Sequence, residues 1–197
     1  MLDINPTDLA ALRTRLRTRR SAALSTAQQA HAAQQFAVQF SQQSLLQNAQ
    51  HIGVYLAVHN EADPAAIVKN LRDNGKQLYL PIVQTPPLLR FAPWFSASPL
   101  RLNQFNIAEP VDPAGALHDA ATLDLLIMPL LAFTLTGIRL GMGGGYYDRS
   151  LTQHIRGKPL LVGLAYEFQL QDTLPQRSWD VSLDFVITEQ SFYDCRA

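Results

Sequence analysis

Cysteine is almost missing from this chain, with Cys195 alone among 197 residues. That excludes an internal disulfide framework and a thiolate-rich zinc site, and Cys195 has no partners in sequence for either. Lysine is confined to positions 69, 76 and 158, charged residues make up only 16% of the chain, and the formal net charge is zero. Such a balance argues against a uniformly basic nucleic-acid surface and against a charged disordered tail. No apolar run approaches the roughly 20 residues of a membrane span. Asp3 and Asp8 stand where a secretory leader would carry basic charge. The expectation is a cytoplasmic, reducing setting with no membrane and no nucleic acid as partner. The five histidines show no metal-ligand spacing.

What is present is enough apolar material, 47% of residues, to bury a full core. We read the chain as one domain over residues 1–197 and as a monomer. Five of the thirteen arginines fall between Arg13 and Arg20, so a local cationic helix sits in a neutral body and points to an anion. The stretches opened by Pro6 and Ser25 are rich in Ala, Leu, Gln and Arg and predict two helices. "HIGVYLAV", then "DPAAIVKNLRDNG", then "KQLYLPIV" reads as a βαβ unit, with Asp63 at the helix cap and Gly75 just past its end. The prolines from Pro81 to Pro113 suggest surface loops. "LDLLIMP", "LLVGLAY" and a last strand "LDFVIT" follow, with a helix from about Tyr146 between the first two. The alternation predicts an α/β layered domain, with a largely parallel twisted sheet flanked by helices in the Rossmann manner.

The chemistry concentrates in "RLGMGGGYYDR", residues 139–149. Glycines 141, 143, 144 and 145 let backbone N–H groups turn toward an anion, and a following helix start adds its positive end. Arg139 and Arg149 can supply contacts to phosphoryl oxygens, and Asp148 can hold a divalent cation beside them. The pattern is neither the dinucleotide fingerprint nor a Walker A loop. From the glycines alone, a ligand-free strand-to-helix turn accounts for the stretch equally well.

"MPLLAFTLTGIRLGMGGGYYDRSL" strongly resembles the signature of the 5-formyltetrahydrofolate cyclo-ligase family, also called methenyltetrahydrofolate synthetases. The resemblance continues in order through "RRSAALS", "VYLAVHNEAD", "NGKQLYLP", "FNIAEP", "VGLAYEFQ" and "LPQRSWDVSLDFVITE". It implies an ATP- and Mg²⁺-dependent closure of 5-formyltetrahydrofolate to 5,10-methenyltetrahydrofolate, with release of ADP and phosphate.

Carried over position by position, the resemblance implies that Arg139 to Tyr147, with Gly141, Met142, Gly143, Gly144, Gly145 and Tyr146 between, form the ATP-phosphate segment. Within it, Met142 to Tyr146 also touch the folate, and Arg139 and Tyr147 are the expected catalytic residues. Asp148 and Asp180 are the expected Mg²⁺ ligands; for Asp180 a surface turn is the alternative. Arg13 corresponds to a nucleotide contact on the first helix, with Arg17 and Arg20 at helical spacing; a solvated basic face is the other reading. The stretch from Leu56 to Glu61 matches the pterin-binding segment, where Glu61 accepts the 2-amino-pyrimidine edge unless it is simply a helix-start acid. Phe105 occupies the aromatic substrate position. Trp94 and Tyr55 read as core or pocket wall.

The chain departs from the family pattern at three places, besides Gly144, which replaces a lysine found in some relatives where the all-glycine form is also common. Thr134 stands where an aspartate is usual, Leu9 where many relatives have lysine, and Ile82 where a basic residue is frequent. Thr134 and Leu9 keep a second reading open, that of a non-catalytic relative binding reduced folate or nucleotide.

Overall fold

The computed structural model describes residues 6–111 and 115–196, leaving Asp3 and Pro113 outside the described residues. Helix α1 (Pro6–Ala23) leads into α2 (Thr26–Ser41). Ser25 starts α2 with a capping box: its hydroxyl accepts the Gln28 N–H, and the Gln28 side chain accepts the Ser25 N–H. A short α3 (Ser44–Gln47), unanticipated in sequence, precedes β1 (His51–Gly53). Then come α4 (Ala65–Asp73) and β2 (Gln77–Gln84). Here Asp63 caps from one position further out than expected, because Pro64 occupies the cap position while the Asp63 carboxylate accepts the Ala65 N–H at 2.9 Å.

The remaining elements are β3 (Leu88–Pro93), β4 (Leu100–Leu102), β5 (Ala108–Pro110), β6 (Leu125–Pro129), β7 (Ala132–Phe133) and β8 (Arg139–Leu140). After them lie α5 (Tyr146–Ser150), β9 (Leu160–Leu164), β10 (Phe185–Ile187) and β11 (Phe192–Asp194). Seven strands form one sheet in the order β11-β10-β9-β6-β1-β2-β3. The five central strands are parallel, and only the two edges, β3 and β11, run antiparallel. The α/β class with a mostly parallel sheet therefore holds.

Two expectations change. The proline-rich middle is more than loops: Pro81 and Pro93 sit within the β2–β3 hairpin, and Pro110 within the β4–β5 hairpin. Nor is "LDFVIT" the last strand, since β11 turns back on β10 at the edge.

Strand β6 shows why the sheet is buried on both faces. Leu125 and Ile127 point into a core with Phe36, Ile67 and Leu71 from α2 and α4, while Leu126 and Met128 point the other way, toward Phe91, Phe133 and Leu151. This period-2 division explains why the strand reads as an unbroken apolar run. Helix α1 packs Leu9 and Leu16 on Leu131, Ala132 and Leu140, fastening it to the β7–β8 ribbon. Leu9, one of the departures, is thus a buried core residue.

Thr134 is buried at the turn of that ribbon. Its hydroxyl accepts the Ile138 N–H at 3.2 Å and meets Thr136 Oγ1 at 2.9 Å. The backbone closes the same turn through Thr134 N–H to Ile138 and Gly137 N–H to Thr134. The threonine thus orders this turn without a carboxylate. Thr134→Val keeps the shape and removes the hydroxyl, so a loss of about 1 kcal/mol is expected in denaturant unfolding, with ligand affinities little changed. A larger effect on substrate KM than on stability would place Thr134 in the site itself.

Candidate functional site

The strand order reverses between β1 and β6: the chain leaves β1 for β2 on one side and later returns to β6 on the other. Ligand crevices form at the carboxyl ends of strands at such a point. A cavity of about 260 Å³ opens there, walled by Tyr55, Leu56 and Val58 after β1, by Leu80, Pro81 and Val83 of β2, and by Pro129 ending β6. Its other side is the whole stretch from Gly141 to Asp148, joined by Arg13, Glu61, Phe105 and Arg139. Segments more than a hundred residues apart in sequence meet in one site.

The glycine loop links β8 to α5. Gly143 and Gly145 are left-handed, with φ of 103° and 63°, a conformation that a side chain penalises. Arg13 lies across the loop, donating from Nε to the Gly141 carbonyl at 3.0 Å, and a Cβ on Gly143 would stand 3.3 Å from that same nitrogen. Burial lowers the Arg13 pKa, the nearby Arg177 lowers it further, and Asp180 opposes both. Two guanidiniums thus converge on bare backbone. Because α5 is a single short turn, an anion at this loop would meet amides and arginines more than a helix dipole.

Arg139 is nearly buried and already engaged. Its Nη2 meets Asp148 Oδ1 at 2.5 Å, its Nη1 donates to the Val181 carbonyl, and the Val181 N–H donates to the same Asp148 oxygen at 3.2 Å. This ties the 180s segment to the start of α5. Burial raises the Tyr147 phenol well above its ordinary value, and the Glu61 charge adds to the shift while Arg139 opposes it. Tyr147 is therefore a neutral hydroxyl donor at physiological pH.

In the segment after β1, His59 and Asn60 are both left-handed (φ 51° and 60°) and the Glu61 N–H closes back on the Val58 carbonyl at 3.1 Å. This tight turn delivers Glu61 into the cavity wall. Its Oε2 accepts the Val58 N–H at 3.1 Å and its Oε1 stands 3.8 Å from Arg20 Nη1. Burial raises the Glu61 pKa, while the Val58 N–H, Arg20 and His59 pull it down. Much of the remaining cavity wall is apolar and aromatic. Phe105, at the tip of the β4–β5 hairpin, meets Tyr146 edge-on at 5.8 Å between ring centroids. Asn103 shapes that tip by accepting the Phe105 and Ile107 N–H groups, and Glu109 fastens it to β2 through the Val83 N–H.

Arg13, Leu56, Glu61, Phe105, Arg139, the loop from Gly141 to Gly145, Tyr146, Tyr147 and Asp148 are thus brought together. Arg17 and Asp180 do not line the cavity. Seven residues nearly complete two helical turns, so Arg13 and Arg20 lie about 20° apart around α1 while Arg17 falls about 40° to the other side. Arg17 is exposed accordingly, and Arg20 is fully buried, so the basic face of α1 is split rather than shared. Asp180 closes a turn by accepting the Arg177 N–H at 2.8 Å, the surface-turn alternative. Arg149 faces away, bracing the loop through the Gly144 and Pro87 carbonyls. Tyr55 is pocket wall, whereas Trp94 stacks under Arg72 in a neighbouring cleft. Sequence reasoning missed Arg177, Asn103 and Glu109, although all three lie in or beside stretches that carried the resemblance.

Among the described residues no group of three or more His, Cys, Asp or Glu side chains gathers as a metal cage. Asp148 could offer a carboxylate oxygen to a phosphate-borne Mg²⁺, because its bonds to Arg139 and Val181 both use Oδ1.

A family model described as the 5-formyltetrahydrofolate cyclo-ligase family matches residues 7–189. A 5-formyltetrahydrofolate cyclo-ligase of Haemophilus influenzae is 37% identical over 161 residues, 80% of this chain and 86% of that protein. Its Escherichia coli K12 counterpart is 35% identical over 179 residues, 89% of this chain and 97% of that one. Among solved structures, the 5,10-methenyltetrahydrofolate synthetase of Aquifex aeolicus superposes with a TM-score of 0.82 at 28% identity, covering 96% of this chain and 93% of its own.

Proposed function

The chain belongs to the 5-formyltetrahydrofolate cyclo-ligase family, which converts 5-formyltetrahydrofolate to 5,10-methenyltetrahydrofolate, and on that premise we propose that it drives this closure with ATP and Mg²⁺ through the glycine-loop cavity. The observation that carries the reading is that Arg13, the bare loop from Gly141 to Gly145, Arg177 and Glu61 line one apolar cavity. The cations and bare amides suit a polyphosphate, and the carboxylate suits a hydrogen-bond-donor heterocycle.

The chemistry needs both. An N5-formyl group is amide-like, a poor electrophile whose oxygen leaves badly. Its oxygen attacks the γ-phosphorus and ADP departs; N10 then adds to the activated carbon and the C–O bond breaks, releasing phosphate as the ring closes. Phosphoryl transfer of this kind depends on positioning and charge neutralisation rather than on a protein nucleophile. In this reading the loop amides and Arg13 hold the phosphates, Asp148 would hold the Mg²⁺ that supplies charge neutralisation, and Arg139 fixes Asp148. Tyr147 donates a hydrogen bond near the transferring group, and Glu61 accepts the pterin's amino edge while Phe105 and Tyr146 cover the ring. The residues act as one monomeric site; Arg17 and Asp180 stand outside it, near its rim.

Growth of the methenyl-folate absorbance from 5-formyltetrahydrofolate, dependent on ATP and Mg²⁺, tests the reading; folate binding with no ADP formed favours a non-catalytic binding protein instead. Gly143→Ala and Gly145→Ala test the loop. Each adds about 1 kcal/mol or more of backbone strain. The new Cβ also stands 3.3 Å from Arg13 Nε in one and 2.8 Å from Arg149 Nη1 in the other. The KM for ATP is expected to rise more than that for folate. Equal losses with a lower Tm point to a turn that binds nothing.

A further inference from the structure

Among the described residues Arg20 is the largest fully buried side chain, at 1% exposure, and the closure chemistry leaves it without a task. It reaches from the last turn of α1 to three points. Its Nη2 donates to the His59 carbonyl at 3.1 Å, its Nη1 to the Leu130 carbonyl at 3.4 Å, and Nη1 stands 3.8 Å from Glu61 Oε1. His59 belongs to the left-handed turn that delivers Glu61, and Leu130 directly follows β6 at the strand-order reversal. Tethering an arginine wholly out of water is costly, and its Nε finds no partner. A merely structural link between α1 and these two segments needs no cation beside a carboxylate.

Resting on the assignment of Glu61 to the pterin edge, we infer that Arg20 is a positioning residue for substrate selection: anchored on the His59 and Leu130 carbonyls, it keeps the Glu61 carboxylate ionised and turned into the cavity, so that the site selects a heterocycle presenting paired donors. The groups facing Glu61 leave this task to Arg20. His59 is exposed in the same turn. Tyr55 spends its hydroxyl on the Ala62 carbonyl, and Tyr166 spends its own on the Glu61 backbone carbonyl. Tyr147 is held neutral by burial. Arg20 is therefore the one buried cation among these groups. Burial drives Glu61 toward its neutral acid and Arg20 toward its neutral base, and each opposes the other's shift, so removing one releases the other. A protonated Glu61 would present an O–H to donors and repel them.

The test is the KM for 5-formyltetrahydrofolate of the full-length protein, measured across mildly acidic to mildly alkaline pH. Arg20→Gln is expected to raise it on the order of tenfold at neutral pH, the size of a lost charge-assisted hydrogen bond, with the gap narrowing as pH rises and Glu61 ionises unaided. The KM for ATP should stay within about twofold of the parent value, and in a Glu61→Gln background Arg20→Gln should add little, since coupled residues are non-additive. Arg20→Lys keeps a cation but loses the planar fork that spans both carbonyls. It is expected to fold and to give an intermediate folate KM, with its pH midpoint moved in the same direction. A Lys midpoint identical to that of the parent protein overturns the inference, as does a Gln penalty that is independent of pH or persists without Glu61. If Glu61→Gln itself leaves folate KM unchanged, it is the pterin assignment that fails.

Discussion

Asp148→Asn is expected to lower kcat/KM by at least about tenfold, or ~1.4 kcal/mol of transition-state stabilisation, and to weaken the fold as well. The second effect follows from the partner. Arg139 is buried against Asp148 at 2.5 Å, its side chain 6% exposed, and the asparagine keeps an acceptor oxygen while deleting the compensating charge. Removing one member of a fully buried pair costs about 3–5 kcal/mol. Asp148 is 24% exposed, so water screens the remaining charge and about 2 kcal/mol is the reasonable expectation here. Denaturant unfolding measures the stability part and a Mg²⁺ titration of turnover the rest. A shifted Mg²⁺ requirement assigns the carboxylate to the metal. A drop in kcat/KM with the requirement unmoved assigns its effect to holding Arg139 and the 180s segment in place.

The second large effect is at Glu61. Glu61→Gln preserves size but replaces one oxygen with an amide that offers a donor to the pterin's own donors. A charge-assisted hydrogen bond contributes about 1.5 to 3 kcal/mol, so folate KM is expected to rise roughly tenfold to a hundredfold. The affinity for ATP measured without folate should barely move, because in the proposed reading Glu61 meets the pterin and not the nucleotide. The wild-type protein has a matching pH signature. Its carboxylate titrates above the ordinary range, and the ionised form is the one that accepts, so folate affinity holds at high pH and falls as pH drops through the raised pKa. Glu61→Gln should abolish that fall. Loss of ATP affinity in parallel would instead mark the substitution as damage to the turn that carries it.

The long, periodic elements were legible in the sequence. Ser25 announced α2, and the apolar runs announced β1, β2, β6 and β9 in a βα alternation. Illegible were β4, β5, β7 and β11, short strands outside the long apolar runs, which exist because a neighbour completes their hydrogen bonds. The site was legible where a motif fixes backbone geometry, as at Gly143 and Gly145, and where the resemblance named a single residue, as at Glu61. It was not legible where the fold decides between like residues. Helical spacing placed Arg13, Arg17 and Arg20 on one face, yet only Arg13 reaches the loop and only Arg20 is buried, because the carbonyls that accept Arg20 belong to His59 and Leu130, distant in sequence. Arg177 was overlooked for a related reason: a lone arginine in a loop says nothing until the cavity shows Arg13 beside it. Leu9 and Thr134, which looked like lost functional groups, have packing and turn-forming roles.

The most direct measurement concerns the formyl oxygen. With 5-formyltetrahydrofolate carrying heavy oxygen in its formyl group, and with ATP, Mg²⁺ and catalytic amounts of the protein, phosphorylation of that oxygen sends the label into inorganic phosphate. One labelled phosphate and one ADP are expected per methenyl product formed. Label recovered in water with unlabelled phosphate, or methenyl product formed at the same rate without ATP, would contradict phosphoryl activation of the formyl group in the glycine-loop cavity.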